Sequence, residues 1–239
     1  MRKDFKIVLF AVGLVFAYKL ADQFNLLDNP LRFYEQFSTG FKLVHDAQDF
    51  NIDVAVSSVD YNANGIDDYA DILLGAQIDA QNLPRYVDQY IAGGYPDDNE
   101  GVCTDVIWRA FKQAGYNLKA MVDLDIANHP HDYPHIEIAD PNIDFRRVPN
   151  LHIFFSKYAQ TLTLDKDEID QWQPGDIVVF NNDDHIGIVS DKRTPNGITY
   201  ILHHGGQPRR EENYLEMGTI IGHFRFDASK IDENLLISW

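Results

Sequence analysis

Asp176-Ile177-Val178-Val179-Phe180, Asn181-Asn182-Asp183-Asp184 and His185-Ile186-Gly187-Ile188-Val189-Ser190 read as strand, turn and strand. Both apolar runs are short and β-branched, and the four Asn and Asp residues between them are turn formers. A third run from Ile198 to His203 follows Pro195-Asn196-Gly197, a second turn signal, and a fourth lies near Ile220 to Phe226. Strands joined by such short connections pair antiparallel. Upstream the pattern becomes helical. Gly101-Val102-Cys103-Thr104-Asp105-Val106-Ile107-Trp108-Arg109-Ala110-Phe111 opens a helix expected to end at Gly115, a residue suited to the left-handed position after a helix. Ile72, Leu73, Ala76 and Ile78 mark another over about Asp68 to Ala80, and Pro30 opens one from about Leu31 to Gln48. Helices first and an antiparallel sheet after them give the class α+β.

Between these elements, Asn82-Leu83-Pro84 and Gly93-Gly94 break the pattern. Residues 128–150, rich in His, Pro and Asp, read as one long loop. The chain is expected to divide into 1–20, a signal peptide or membrane anchor; 21–92, a helical N-terminal extension; and 93–239, the domain that contains the Cys103 helix and the strands.

Arg2, Lys3 and Lys6 precede the apolar run Ile7 to Ala17, the layout of a secretory leader. The run is shorter than the ~20 residues that span a bilayer, and no clear small-x-small cleavage site follows it. Removed signal and uncleaved anchor both stay open, and either puts the body of the protein outside the cytoplasm. With 37 acidic against 20 basic residues the net charge is -17, which repels phosphate backbones, so nucleic acid is not an expected partner.

Cys103 is the single cysteine, so no intrachain disulfide can form. A helix N-terminus favours a thiolate, and a thiol nucleophile needs a base and a group that orients the base. His185 begins one strand and His203 ends the next, where an antiparallel return brings them close. His204 competes with His203, but strand alternation lets one of the two face His185. The helix start and a protonated imidazole are expected to lower the thiol's pKa, so that alkylation persists below about pH 7. The bland alternative is a buried core cysteine with two structural histidines. Zinc on Cys and two His lacks the usual close ligand spacing, and His129, His131 and His135 read as solvated loop residues.

These motifs carry a resemblance. Gly101-Val102-Cys103-Thr104-Asp105, the Pro174-Gly175-Asp176 strand, His185-Ile186-Gly187-Ile188-Val189-Ser190 and His203, in this order, resemble the NlpC-type cell-wall cysteine peptidases over roughly residues 93 to 226. A closer resemblance, through Gly101 to Asp105, Asp140 to Leu151 and His185 to Asp191, is to the bacterial family DUF1287. The wider resemblance implies a papain-like core with the cysteine helix packed on a small antiparallel sheet. It also implies Cys103 as nucleophile, His185 as base, His203 as orienter and Tyr95 as a second oxyanion donor beside the Cys103 N–H. The implied substrate is an amide bond in a peptidoglycan stem peptide, with no cofactor for catalysis. Thr104-Asp105 replaces the Ser-Gly pair common in that group, so substrate contacts at Asp105 differ. Arg146 and Arg147 can grip a substrate carboxylate or brace the long loop. A noncatalytic envelope-binding module and a thiol acyltransferase are the alternative functions.

Asp60-Tyr61-Asn62-Ala63-Asn64-Gly65-Ile66-Asp67-Asp68-Tyr69-Ala70-Asp71 has the spacing of a calcium loop. Asp60, Asn62, Asn64, Asp68 and Asp71 would supply side-chain oxygens and Ile66 its carbonyl. Aspartate replaces the usual glutamate at the last position. The plainer alternative is an Asx-rich turn that caps the following helix at Asp67 or Asp68.

Overall fold

The computed structural model describes residues 44–239, so the expected leader and most of the helix at 31–48 lie outside the described residues. The described end of that helix is not α-helical. His45 forms an antiparallel bridge with Arg193, and Ala47–Phe50 is a 3-10 turn capped by Asp46. Val44–Trp239 form one compact unit. Among the described residues no helix is long and apolar enough to cross a membrane.

Four α-helices are present among these residues: α1 (Asp68–Asn82), α2 (Cys103–Gln113), α3 (Leu118–Asn128) and α4 (Val148–Tyr158). Asp67 caps α1 by accepting the Tyr69 N–H. The α1 backbone runs very close to α2, because a Cβ at Gly75 would lie 2.7 Å from the Ala110 Cα. Gly115 follows α2 at φ +89°, a conformation that costs glycine little.

The sequence reading missed α3 and placed the start of α4 in a long loop. Buried Leu118, Met121, Val122, Asp125 and Ile126 follow helical spacing in α3, but an aspartate occupies one of these positions. It is tolerated there because Asp125 accepts hydrogen bonds from Tyr133, Tyr158 and Lys157. In α4, Pro149 falls in the first turn, where its missing N–H costs nothing.

The sheet contains β3 (Gln160–Thr161), β4 (Ile177–Phe180), β5 (His185–Arg193), β6 (Thr199–Leu202), β7 (Glu211–Glu212) and β8 (Ile220–Arg225). Their order is β3-β8-β4-β5-β6-β7, and every neighbouring pair is antiparallel. A separate parallel pair joins β1 (Arg85–Tyr86) to β2 (Glu100–Gly101), just before α2. Ile177, Val179, Ile186, Ile188 and Leu202 pack in one core with Val106, Ile107, Ala110 and Phe111 of α2. Val178, Phe180, Val189 and Ile201 join Trp172, Ile198 and Leu215 in a second, smaller core. The chain is therefore a mixed α and β protein whose cysteine helix packs on an antiparallel sheet.

Candidate active site

Cys103 is the first residue of α2 and is 8% exposed. Its sulfur lies against the backbone N–H groups of Ile186, Thr104 and Cys103 itself. Ile186 directly follows His185, so the sulfur sits at the start of β5.

His185 pairs across the sheet with Phe180 and lies near its ring and that of Tyr214. The turn before it holds Asn181, Asn182 and Asp183 at φ 57°, 59° and 66°. Three successive left-handed residues are costly for most side chains and least so for Asn and Asp. Side chains tie this turn down. The Asn181 Oδ1 accepts the Thr219 N–H at 2.9 Å, and its Nδ2 donates to the Tyr214 hydroxyl at 3.0 Å.

The Nε2 of His185 is 2.7 Å from the Nδ1 of His203, with the rings edge to face at 4.8 Å. Gly187 makes this approach possible, since a Cβ there would lie 3.1 Å from that of His203. Alternation sends the next residue elsewhere: His204 meets the Tyr86 ring edge-on at 5.3 Å. Of the two successive histidines it is therefore His203 that contacts His185.

Electrostatics correct one expectation. Burial pushes the Cys103 thiol up to about 11, with the nearby N–H groups opposing it, so the expected low-pKa thiolate is not the resting form. Burial, assisted by His204, pushes His185 down to about 4; burial followed by His185, His204 and Arg210 pushes His203 down to about 3. At rest the thiol and both imidazoles are therefore uncharged. Below the ordinary histidine value of 6.5 the unfolded chain takes up protons that the folded pair refuses. Each histidine's contribution to stability is complete above 6.5 and is lost as pH falls toward 4, by on the order of 3 kcal/mol. Urea unfolding at pH 7 and pH 5 should show a larger loss for wild type than for His203→Gln; equal losses would refute this assignment.

The remaining expected site residues are distributed differently. Tyr95 packs against Trp108, Phe145 and Trp239, and its hydroxyl donates to the Asn117 Oδ1 at 3.3 Å. Its ring is packed among aromatics and its hydroxyl already has a partner. Tyr86 of β1 is instead close enough for the Cys103 sulfur to raise its hydroxyl's pKa, behind burial as the larger cause.

Asp105 and Arg146 form a buried ion pair with Nε to Oδ1 and Nη2 to Oδ2 distances both of 2.9 Å. Asp105 also accepts the Trp108 Nε1–H and the Val102 N–H. Both side chains thus hold the start of α2. Arg147 is exposed and lines a surface cavity with His135, Glu137 and Asp140. Gln207, Glu212 and Tyr214 surround His203; the sequence reads Tyr214 only as core or groove wall and does not single out the other two. Glu212 lies in a two-residue strand too short to show a pattern.

The Asp60 to Asp71 loop is held together by its own hydrogen bonds. Asp60 accepts the N–H groups of Asn64 and Gly65, while the side-chain amides of Asn62 and Asn64 donate to the Asp71 Oδ2. Asp68 is buried and accepts from the Tyr61 N–H and the Tyr116 hydroxyl. The Ile66 N–H donates to the Asn64 Oδ1. Asp68 and Asp71 are therefore occupied by protein donors, and among the described residues no three His, Cys, Asp or Glu side chains are grouped to hold a metal.

A family model described as Domain of unknown function (DUF1287) matches residues 73–226. The chain belongs to this family. The chain is 36% identical over 149 residues to the uncharacterized protein YijF of Escherichia coli (strain K12), a match that covers 60% of this chain and 72% of that protein. No solved structure matches. The DUF1287 span contains Cys103, His185 and His203 and begins after the Asp60 to Asp71 loop.

Proposed function

We propose that this protein is a cell-envelope cysteine hydrolase of NlpC type, with a papain-like core, that cleaves an amide bond in peptidoglycan peptides. The observation that carries the reading is the 2.7 Å contact between the Nε2 of His185 and the Nδ1 of His203, beside a cysteine sulfur packed on the N–H of the residue after His185. A base with its orienter next to a thiol at a helix start is the arrangement that thiol acyl transfer needs. Location outside the cytoplasm, through the basic and apolar segment at residues 1–20, belongs to the same proposal.

In this mechanism the Cys103 sulfur attacks the amide carbon as its proton passes to His185. The carbon–nitrogen bond then breaks, and His185 returns the proton to the departing amine, leaving a thioester. Water, deprotonated by His185, adds to the thioester and releases the acid and the thiol. Because the resting thiol is protonated, attack and proton transfer are coupled, and neutral His185 is the form able to accept. The Cys103 N–H is one donor to the developing oxyanion, and Tyr86 replaces Tyr95 as the second candidate.

The test is incubation with purified peptidoglycan and mass spectrometry of the soluble products. Wild type should release peptide fragments and Cys103→Ala should release none; equal release, or none from either, removes the hydrolase reading. The buried thiol supports the second reading, a noncatalytic envelope-binding module, which predicts equal retention of both proteins on peptidoglycan without release. Product formation that requires an added amine would instead identify acyl transfer.

Calcium at the Asp60 to Asp71 loop is a separate proposal with a structural role. The cation would take over partners that the Asn62 and Asn64 amides now supply to Asp71. Wild type should melt higher in 1 mM calcium, at the upper end of affinities of ~10⁻⁴ to 10⁻³ M for extracellular sites. Asp60→Ala should abolish that rise, and an unchanged wild-type melting temperature would leave the loop as a hydrogen-bonded helix cap.

A further inference from the structure

We infer that Glu212 is a positioning residue that sets the tautomers of both histidines, by holding the His203 proton on Nε2. The Nε2 of His203 lies 3.3 Å from the Glu212 Oε1, while its Nδ1 faces the Nε2 of His185 at 2.7 Å. Strand pairing produces this arrangement. Ile201 pairs with Glu212 across β6 and β7, and the His203 N–H donates to the Arg210 carbonyl, which places Glu212 beside Ile201 and His203 at the sheet edge.

A contact between two neutral imidazoles contains one proton, so its direction has two solutions. An ionised carboxylate can only accept. With Glu212 as partner, His203 carries its proton on Nε2 and leaves Nδ1 bare. His185 must then donate from Nε2, and its own Nδ1 becomes the lone pair available to a thiol proton. That last step rests on the hydrolase reading; the tautomer assignment does not.

Gln207 pulls the other way. Its Oε1 accepts the Gly205 N–H at 2.7 Å, which fixes the amide so that Nε2 is the end near His203. That nitrogen lies 3.2 Å from the His203 Nε2, 3.3 Å from its Nδ1 and 3.1 Å from its carbonyl oxygen. Donation to a bare Nε2 would move the His203 proton to Nδ1, reverse the bond to His185 and put an N–H on the His185 Nδ1. Such a His185 could not take a proton there. Glu212 prevents this, because a hydrogen bond to an ionised acceptor is about twice as strong as one between neutral groups. The amide of Gln207 keeps the His203 carbonyl as its acceptor.

The experiment is two-bond proton-nitrogen correlation NMR of the full chain labelled with ¹⁵N at histidine, near pH 7.5, for wild type, Glu212→Gln and Gln207→Ala. Wild type and Gln207→Ala should both show His185 and His203 protonated on Nε2. Glu212→Gln should show His203 wholly or partly protonated on Nδ1. Protonation of His203 on Nδ1 in wild type, or an unchanged tautomer in folded Glu212→Gln, would overturn the inference. Where hydrolysis is measurable, kcat for Glu212→Gln should fall about 10- to 100-fold with little change in KM. The spectra decide the tautomer whether or not peptidoglycan is cleaved, so failure of the hydrolase reading and failure of this inference are separately visible.

Discussion

Asp105→Ala is expected to lower the unfolding free energy by roughly 3–5 kcal/mol, the cost of stripping one partner from a buried ion pair. Asp105 and Arg146 are both almost wholly shielded from solvent, at 0% and 6% exposure. The guanidinium presents Nε and Nη2 to the two carboxylate oxygens, and the Trp108 indole and Val102 N–H complete the set. Removing the carboxylate leaves a buried cation and two buried donors without this acceptor, and small side chains cannot fill the gap with anything that answers them. Val102 immediately precedes Cys103, so the same substitution loosens the start of α2. Urea denaturation of wild type and Asp105→Ala measures the loss, and a decrease below about 1 kcal/mol would mean that the pair carries little net stability. A double replacement, Asp105→Leu with Arg146→Met, should recover much of it, because removing both charges removes the unpaired one.

The second large effect concerns Cys103 itself. A thiol moved from its ordinary 9.0 to about 11 is a thiolate about 100-fold less often at neutral pH. In the resting protein, Cys103 should therefore react with iodoacetamide about 100-fold more slowly at pH 7.5 than an ordinary exposed cysteine, before any further loss from restricted access. Unfolding in urea should restore the ordinary rate. The rate for the folded protein should rise with pH past 9, whereas a plateau extending below pH 7 would establish a resting thiolate and imidazolium pair and refute the assignment of a neutral site. His185→Ala should leave this resting rate nearly unchanged, since the imidazole does not hold the thiol ionised.

The two expectations also explain each other. Asp105 secures the helix start that would favour a thiolate, yet it adds negative charge beside the sulfur and, with burial, raises the thiol's pKa. Helix position alone was the wrong guide to ionisation, because desolvation outweighs a partial charge at a helix end when the group lies beneath the surface.

Local order in the sequence determined the four longer strands, β4, β5, β6 and β8, and the cysteine helix. The turn at Asn181 to Asp184 and the short apolar, β-branched runs on either side required an antiparallel pair, and Gly115 marked where α2 stops. Strand alternation dictated that His203 and His204 could not both face His185. Helix α3 was less legible because Asp125 interrupts its apolar side, and its acceptability depends on Tyr133, Lys157 and Tyr158, which lie outside the helix. Only the tertiary structure decided which tyrosine approaches Cys103, that Asp105 and Arg146 serve each other, and that Glu212 reaches His203. Those outcomes depend on distance and desolvation between segments far apart in the chain, quantities that periodicity and residue type do not contain.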